Sequence, residues 1–306
     1  MRVVITGGTG LIGGAVARDL AGQGAEVVVL SRDPSKVQGL PAGVRAAAWD
    51  GKTGAGWSQL LEPGTAILHL AGESIAEGRW NADKKARIRD SRIRSGEAVL
   101  AAVREAAGRG APPRALLQSS AVGYYGDARD ELVSEGHPPG PGFLPDVCVA
   151  WEASTVGVEQ LGVRRALLRT GIVLDPAGGA LPKMALPFRV AAGGPLGNGR
   201  QWVPWIHRDD EVGAIRFLLE RDDARGPFNL TAPNPARNRD FMKTLGKVLG
   251  RPSLLPAPDF ALRLVLGEMA DMLLQGQRAV PRRLQELGYA FRFPDLEPAL
   301  RDLLGK

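Results

Sequence analysis

Three glycines that follow the first apolar run of the chain point to a site for a phosphate group. Gly7, Gly10 and Gly13 come directly after Arg2-Val3-Val4-Ile5, which has the β-branched content of a buried strand. Residues without a Cβ let backbone N–H groups approach a pyrophosphate, and the following helix adds the positive end of its dipole. The sequence predicts a dinucleotide site, the alternative being a tight turn without a ligand. The expected contacts are Gly7, Thr9, Gly10, Leu11, Ile12 and Gly13.

The end of the second apolar run indicates which dinucleotide would bind. Glu26–Leu30 reads as a buried parallel strand, and Ser31 and Arg32 follow it. At this position an acidic residue accepts from the ribose of NAD, whereas an arginine faces the 2′-phosphate of NADP. Ser31 and Arg32 therefore favour NADP(H), unless Arg32 is only a surface residue. The neighbouring Asp33 has about the NAD-type spacing, but Asp33-Pro34 resembles a helix cap that would engage this carboxylate with backbone donors.

Other candidate residues follow the later strands of the pattern. Residues 65–70, 115–120 and 165–169 read as the fourth, fifth and sixth strands, and the carboxyl ends of parallel strands meet at one edge of a sheet. Cofactor contacts are expected there from Leu70, Ala71, Gly72, Glu73, Ser119 and Arg169. The candidates for proton transfer near the nicotinamide are Glu73, Ser120, Tyr124 and Tyr125, for which packing, capping or ion pairing are the alternative roles.

The positive charge of the chain is concentrated in one segment. The sequence has 39 basic and 33 acidic residues, a net charge of +6, and seven of the basic residues lie between Arg79 and Arg94. Interleaved aromatic residues and a recognisable nucleic-acid-binding motif are missing from this segment, so we expect no nucleic-acid partner. We interpret it as a solvated helix face from which Arg92 reaches the phosphates of the cofactor.

Composition sets further limits. With 306 residues, 44% hydrophobic and 24% charged, the chain has ordinary globular composition. No run approaches the roughly 18 apolar residues of a membrane helix, and the first strand leaves no room for a signal peptide, so we expect a cytoplasmic protein without a membrane partner. A single cysteine, Cys148, and three scattered histidines predict neither a disulfide nor a metal site.

The order of the elements predicts an α/β fold. Strands alternate with helices up to about residue 170, which indicates a Rossmann-type, doubly wound parallel sheet. Beyond Thr170 the chain becomes rich in glycine and proline and then helical, so we expect an NADP(H)-binding domain at 1–170 and a smaller, mainly helical substrate or cap lobe at 171–306. The glycine-rich stretch 193–202 is expected to cover the crevice, with Arg200 and Gln201 as substrate contacts.

Several segments together resemble a known family. Besides the glycine turn they are Ser119–Gly126, Trp205–Asp210, His69–Glu73, Gly193–Gly197, Phe228–Pro233 and Gly276–Arg278. With these, the chain resembles an atypical extended short-chain dehydrogenase/reductase, of the nucleotide-sugar epimerase-like branch that carries a C-terminal domain of unknown function. The resemblance implies an oxidoreductase or epimerase that uses a nicotinamide cofactor.

The same resemblance exposes a departure at the catalytic positions. Members typically use a serine or threonine, a tyrosine and a lysine, in which the lysine lowers the pKa of the tyrosine. These positions fall on Ala121, Cys148 and Glu152, and a carboxylate at 152 would raise the pKa of the thiol.

Two hypotheses remain. One is an NADP(H)-dependent oxidoreductase or epimerase with a different proton donor, acting on an unidentified small polar molecule. The other is a non-catalytic NADP(H) sensor or scaffold. An oligomer is compatible with both.

Overall fold

A computed structural model describes residues 1–305 and has a seven-stranded sheet at its centre. All neighbouring strands in this sheet are parallel, as expected for a doubly wound fold, so the predicted fold class is confirmed. The strands, in chain order, are β1 Arg2–Thr6, β2 Glu26–Ser31, β3 Val44–Ala48, β4 Ala66–His69, β5 Ala115–Ala121, β6 Arg164–Thr170 and β7 Gly226–Leu230.

The order of the strands in space creates the crevice. From one edge to the other it is β7, β6, β5, β4, β1, β2 and β3. Strands β2 and β3 are therefore added on one side of β1, and β4 to β7 on the other, so the strand order reverses between β1 and β4. In open α/β sheets ligands bind beyond the carboxyl ends of the strands at such a reversal. The residues following Thr6 and His69 therefore flank the expected site.

Helices cover both faces of the sheet and form the C-terminal lobe. They are α1 Leu11–Gly22, α2 Ala82–Gly108, α3 Phe143–Ala153, α4 Leu181–Arg189, α5 Arg208–Glu220, α6 Asn238–Leu249, α7 Asp259–Leu266, α8 Asp271–Leu274, α9 Arg282–Glu286 and α10 Leu296–Leu304. Short 3₁₀ helices are Pro34–Lys36, Ser58–Leu60, Val122–Tyr125, Val156–Leu161 and Gly267–Ala270. Small paired strands lie at Leu132–Val133, Ile172–Asp175, Gly178–Gly179, Trp202–Val203, Trp205–His207, Ala236–Arg237 and Arg278–Ala279.

Alternation along the strands separates the core into two layers. Val3 and Ile5 pack with residues of α1 and α5 on one face of the sheet, whereas Val4 packs with residues of α2 on the other. A third apolar cluster, which includes Phe188, Trp205, Phe241 and Leu300, is the core of the C-terminal lobe. The sheet therefore has one apolar core on each of its faces, and the C-terminal lobe has a core of its own.

The sheet extends beyond the boundary expected at residue 170. β7 pairs with β6, and Ile215 and Leu218 of α5 belong to the same core cluster as Val3. The segment Gly-Pro-Phe-Asn-Leu of β7 has a proline and no β-branched residue, so it carries no strand pattern. The proline is tolerated because β7 is an edge strand. α3 ends at Ala153, and a separate 3₁₀ helix follows it at Val156–Leu161.

Within residues 1–305, no helix has the length and apolar character needed to cross a membrane. The same residues contain no cluster of three or more histidine, cysteine, aspartate or glutamate side chains able to hold a metal ion.

Candidate functional site

The glycine turn is packed so tightly that side chains are excluded. Gly7 has φ +70°, and a Cβ on it would lie 2.9 Å from the carbonyl carbon of Leu70. A Cβ on Gly13 would lie 2.4 Å from the carbonyl oxygen of Gly7, and the Gly10 N–H donates to that oxygen at 3.0 Å. Because Gly7 has no side chain, the turn after β1 can lie against the segment after β4. Because Gly13 has none, α1 can lie against the turn.

The start of α1 suits an anion. α1 follows Gly10, which gives no side-chain cap, and its first turn contains no acidic residue. The first N–H groups of a helix have no partner within the helix, and the dipole favours negative charge there. The cradle left by the missing Cβ atoms and these donors fit the pyrophosphate of a dinucleotide.

A cavity of about 820 Å³ extends from this turn to the end of β2. Five of the predicted cofactor residues line it: Thr9, Gly10, Leu11, Ser31 and Arg32. Four basic side chains line it as well: Arg18, Arg32, Lys36 and Arg208. The cavity therefore joins the glycine turn to a basic wall.

The carboxylate of Asp33 is engaged within its own turn. It accepts a hydrogen bond from the Ser35 hydroxyl at 2.5 Å and lies 3.0 Å from the Lys36 ammonium, and both interactions lower its pKa. It does not cap the 3₁₀ helix that begins at Pro34. The expectation that this carboxylate is occupied agrees with the structure, but its main partners are side chains rather than backbone donors.

The segment after β4 lies directly beside the glycine turn. The Thr6 hydroxyl accepts from the N–H groups of Leu70 at 3.1 Å and Ala71 at 3.2 Å. It also bonds His69 at 2.7 Å, and full burial of His69 lowers its pKa to about 4, as for a packed strand residue that stays neutral. Leu70 and Ala71 are thus brought to the edge where the predicted cofactor contacts lie.

Glu73 and Arg92 are held by helix α2. The Glu73 carboxylate lies 2.9 Å from Lys84 and 3.2 Å from Arg87, whose hydrogen bonds lower its pKa and keep it ionised. Arg92 donates to the Glu73 carbonyl at 3.1 Å, packs under Gly72 and stacks 5.0 Å from the Trp151 ring. Arg92 does not line the cavity that contains Arg32, so its predicted contact with the cofactor remains a prediction.

Glu152, at the lysine position of the family triad, belongs to a buried ion pair, and Cys148, at the tyrosine position, lies close enough to feel its charge. Ser120 donates a hydrogen bond to Glu152 at 2.7 Å. Arg169 donates to both carboxylate oxygens of Glu152, at 2.8 and 2.9 Å. The Cys148 thiol lies 3.9 Å from the Ala121 carbonyl oxygen, and burial followed by the charge of Glu152 raises its pKa to about 11. A thiol of that pKa is protonated at neutral pH and is a poor nucleophile.

Arg169 also holds the two tyrosines. It donates to the Tyr125 hydroxyl at 3.1 Å, and Tyr125 donates to Asn229 at 2.8 Å. Burial raises the pKa of Tyr125 to about 12. The Tyr124 ring lies 3.5 Å from the Arg169 guanidinium carbon and is only half-buried. Of the two phenols, Tyr124 is therefore the more accessible.

Neighbouring residues of β5 face opposite sides. Ser120 is buried against Glu152, whereas Ser119 and Ala121 are half-buried and, by strand alternation, lie on the other face. Ser119 therefore does not share the environment of the ion pair, and its contact with the cofactor stays a prediction, as does that of Arg169.

Arg200 and Gln201 lie in the C-terminal lobe. The Gln201 amide donates to the carbonyl oxygens of Leu196 at 3.0 Å and Leu273 at 2.7 Å. Arg200 is exposed, and neither residue lines the cavity beside the glycine turn. Their contact with a substrate stays a prediction, although the amide of Gln201 is already engaged.

Four charged residues of the cavity wall beyond Arg32 and Asp33 were not anticipated as cofactor contacts: Arg18, Lys36, Asp175 and Arg208. Arg18 follows Leu11 by seven residues and Gly14 by four, so helical spacing places it on the face that carries both. That spacing is a signal in the sequence. Asp175 and Arg208 reach the cavity only through the tertiary fold, because they come from the segments around Ile172–Asp175 and the start of α5.

Comparison with known proteins agrees with this geometry. Residues 3–144 match the NAD dependent epimerase/dehydratase family, and residues 257–303 match a domain of unknown function, DUF1731. The chain is 39% identical over 310 residues to the chloroplastic homolog of epimerase family protein SDR39U1 from Arabidopsis thaliana, covering 99% of this chain and 87% of the relative. It is 40% identical over 299 residues to an epimerase family protein of Mycobacterium tuberculosis, covering 97% and 96%.

A solved structure is similar over the whole length. The human epimerase family protein SDR39U1 (isoform 2), crystallised with NADPH, superposes with a TM-score of 0.88 and 34% identity, covering 100% of this chain and 99% of that one. Together with the sequence relatives, this confirms the resemblance drawn from the motifs. The chain belongs to the NAD dependent epimerase/dehydratase family of extended short-chain dehydrogenases/reductases and carries a C-terminal DUF1731 domain.

Proposed function

We propose that the protein binds NADP(H) and acts as an oxidoreductase or epimerase on a small polar molecule. The observation that carries the proposal is the cavity that joins the glycine turn to Arg32. Its turn fits a pyrophosphate, and its far end presents an arginine where the fold places the adenosine ribose. The similar human protein crystallised with NADPH supports the same cofactor.

The residues around the turn have distinct tasks in this proposal. The N–H groups at the start of α1 bind the phosphates, and Thr6 fixes the segment after β4 beside them. When bound, the nicotinamide supplies hydride transfer. The protein contributes position, exclusion of water and a proton donor.

Tyr124 is the candidate proton donor that the geometry leaves most available. Glu73 is paired with Lys84 and Arg87, Ser120 donates to Glu152, and Tyr125 is fixed between Arg169 and Asn229. Within residues 1–305 the Tyr124 hydroxyl makes no hydrogen bond to another side chain. Its ring rests on the Arg169 guanidinium, whose carbon lies 3.5 Å from the ring centroid.

A specific observation also favours the second candidate, an NADP(H) sensor or scaffold. At the positions where the family uses tyrosine and lysine, this chain has a protonated thiol and a carboxylate tied to Arg169. Neither group can lower the pKa of a neighbouring phenol as a lysine does. A protein that binds the cofactor without turnover would show this arrangement too.

Turnover separates the two candidates. A thermal-shift screen of small polar metabolites in the presence of NADPH identifies ligands, and NADPH absorbance then reports turnover with each. We expect Tyr124→Phe to lower any such turnover by about 10²–10⁴, the range for a lost general acid, while NADPH affinity stays unchanged. Ligands that bind without turnover would instead favour the sensor.

Arg32 is expected to set the preference for NADPH over NADH. A charge-assisted hydrogen bond contributes about 1.5–3 kcal/mol, so Arg32→Ala should weaken NADPH about tenfold or more and leave NADH nearly unchanged. Fluorescence titration with both cofactors measures this. Arg45→Ala is the matched control, because Arg45 is exposed on β3 and outside the cavity. Equal losses for NADPH and NADH would contradict the assignment.

A further inference from the structure

We propose that Arg208, at the start of α5, contacts the pyrophosphate of the bound dinucleotide from the side opposite the glycine turn. The proposal rests on the NADP(H) function inferred above. Arg208 lines the same cavity as Gly10 and Leu11, although the two sides are separated by almost two hundred positions in the chain. It would add a side-chain cation to the backbone donors of the glycine turn.

Asp175 places Arg208 next to the start of α1. Its carboxylate accepts from the Ala177 N–H at 2.8 Å and lies 3.4 Å from the Arg208 guanidinium. The turn that follows packs on Leu11, since a Cβ on Gly178 or Gly179 would lie 3.2 Å from the Leu11 side chain. Leu11 is the first residue of α1. The Asp175–Arg208 pair is therefore attached to the helix end where the phosphates are expected.

The guanidinium of Arg208 keeps N–H groups that are available to donate to a ligand. Its contacts with Asp175 at 3.4 Å and Asp209 at 3.3 Å are longer than the roughly 2.7–2.9 Å of strong charge-assisted bonds, and its side chain is 36% exposed. An arginine offers five donors in a planar fork that matches two phosphate oxygens. Such a fork can bind a phosphate while Asp175 still orients it.

Arg208 and Arg32 face different parts of the cofactor. Arg32 follows β2, at the ribose end of the cavity, whereas Arg208 lies by Leu11 at the helix end. Two fragments separate these parts: ADP-ribose has the pyrophosphate but no 2′-phosphate, and adenosine 2′-monophosphate has the reverse.

The test is calorimetric titration of both fragments into wild type and variants. We expect Arg208→Gln to weaken ADP-ribose about tenfold and to leave adenosine 2′-monophosphate unchanged, with Arg32→Ala showing the opposite pattern. Arg208→Lys keeps the positive charge without the planar fork, so it should lose less affinity for ADP-ribose than Arg208→Gln does. Arg216→Gln is the control on the same helix, because Arg216 pairs with Asp19 and does not line this cavity.

The outcomes are distinguishable. Unchanged ADP-ribose affinity in Arg208→Gln would overturn the proposal, and so would a loss confined to adenosine 2′-monophosphate. A wild-type protein that binds neither fragment nor NADPH would instead overturn the proposed function itself. Circular dichroism of each variant without ligand verifies that the comparison is made between folded proteins.

Discussion

Gly13→Ala is expected to reduce NADPH affinity by about 100-fold or more. The added Cβ would lie 2.4 Å from the Gly7 carbonyl oxygen and 2.7 Å from the Gly8 Cα, and backbone atoms cannot rotate away as a side chain would. The turn must shift, which removes the N–H groups from the phosphates. Losing two charge-assisted bonds of about 1.5–3 kcal/mol each accounts for this factor. Fluorescence titration with NADPH measures it.

Gly22→Ala is the matched control in the same helix. A Cβ there meets no atom within 4 Å, so NADPH affinity should be unchanged, and alanine is the better helix former. Gly13→Ala should also lower stability by about 1–3 kcal/mol, as overpacking usually does, yet remain folded. A folded Gly13→Ala protein that bound NADPH within about threefold of wild type would show that the phosphates lie elsewhere.

The strand, turn and helix of the candidate phosphate site were predictable because their signals are local. The segment that contains β1, the three glycines and α1 is continuous in sequence. Its residue pattern alone indicates a strand, a turn that excludes side chains and a helix. Ser31 and Arg32 follow from the same logic, because the fold fixes what the end of β2 faces. The structure accordingly brings Gly10, Ser31 and Arg32 to one cavity.

The rest of the site depends on partners that are distant in sequence. Glu73 is engaged by Lys84 and Arg87 only because the start of α2 returns over the segment after β4. Arg208 reaches the cavity only because α5 packs against α1. β7 has a glycine, a proline and an asparagine among its five residues, so pairing with β6 makes it a strand where its own sequence does not indicate one.

The pair between Arg169 and Glu152 illustrates what such distant partners contribute. Burial alone lowers the pKa of Arg169, but its hydrogen bonds to Glu152, the charge of that carboxylate and the contact with Tyr125 together raise the pKa above the ordinary value. Arg169 also donates to the Glu135 carbonyl at 3.2 Å. Ser120, Tyr125 and Glu135 are thereby joined through one guanidinium, which makes the pair a structural centre of the site.

We expect Arg169→Met to lower the free energy of unfolding by about 3–5 kcal/mol, because it leaves the Glu152 carboxylate buried without its cation. Urea unfolding monitored by circular dichroism measures this loss. The exposed pair between Arg301 and Glu297 gives the control: Arg301→Met should cost less than about 1 kcal/mol.

The double variant Arg169→Met with Glu152→Gln distinguishes an uncompensated charge from lost packing. Glutamine carries no charge and can still accept from Ser120, which donates at 2.7 Å in the native protein, so the double variant should be more stable than Arg169→Met alone. If the double variant recovered no stability, the packing of Arg169 against Tyr124, rather than its charge, would account for the lost free energy of unfolding. With recovery and NADPH affinity preserved, Glu152 would be assigned to stabilising the fold rather than to binding the cofactor.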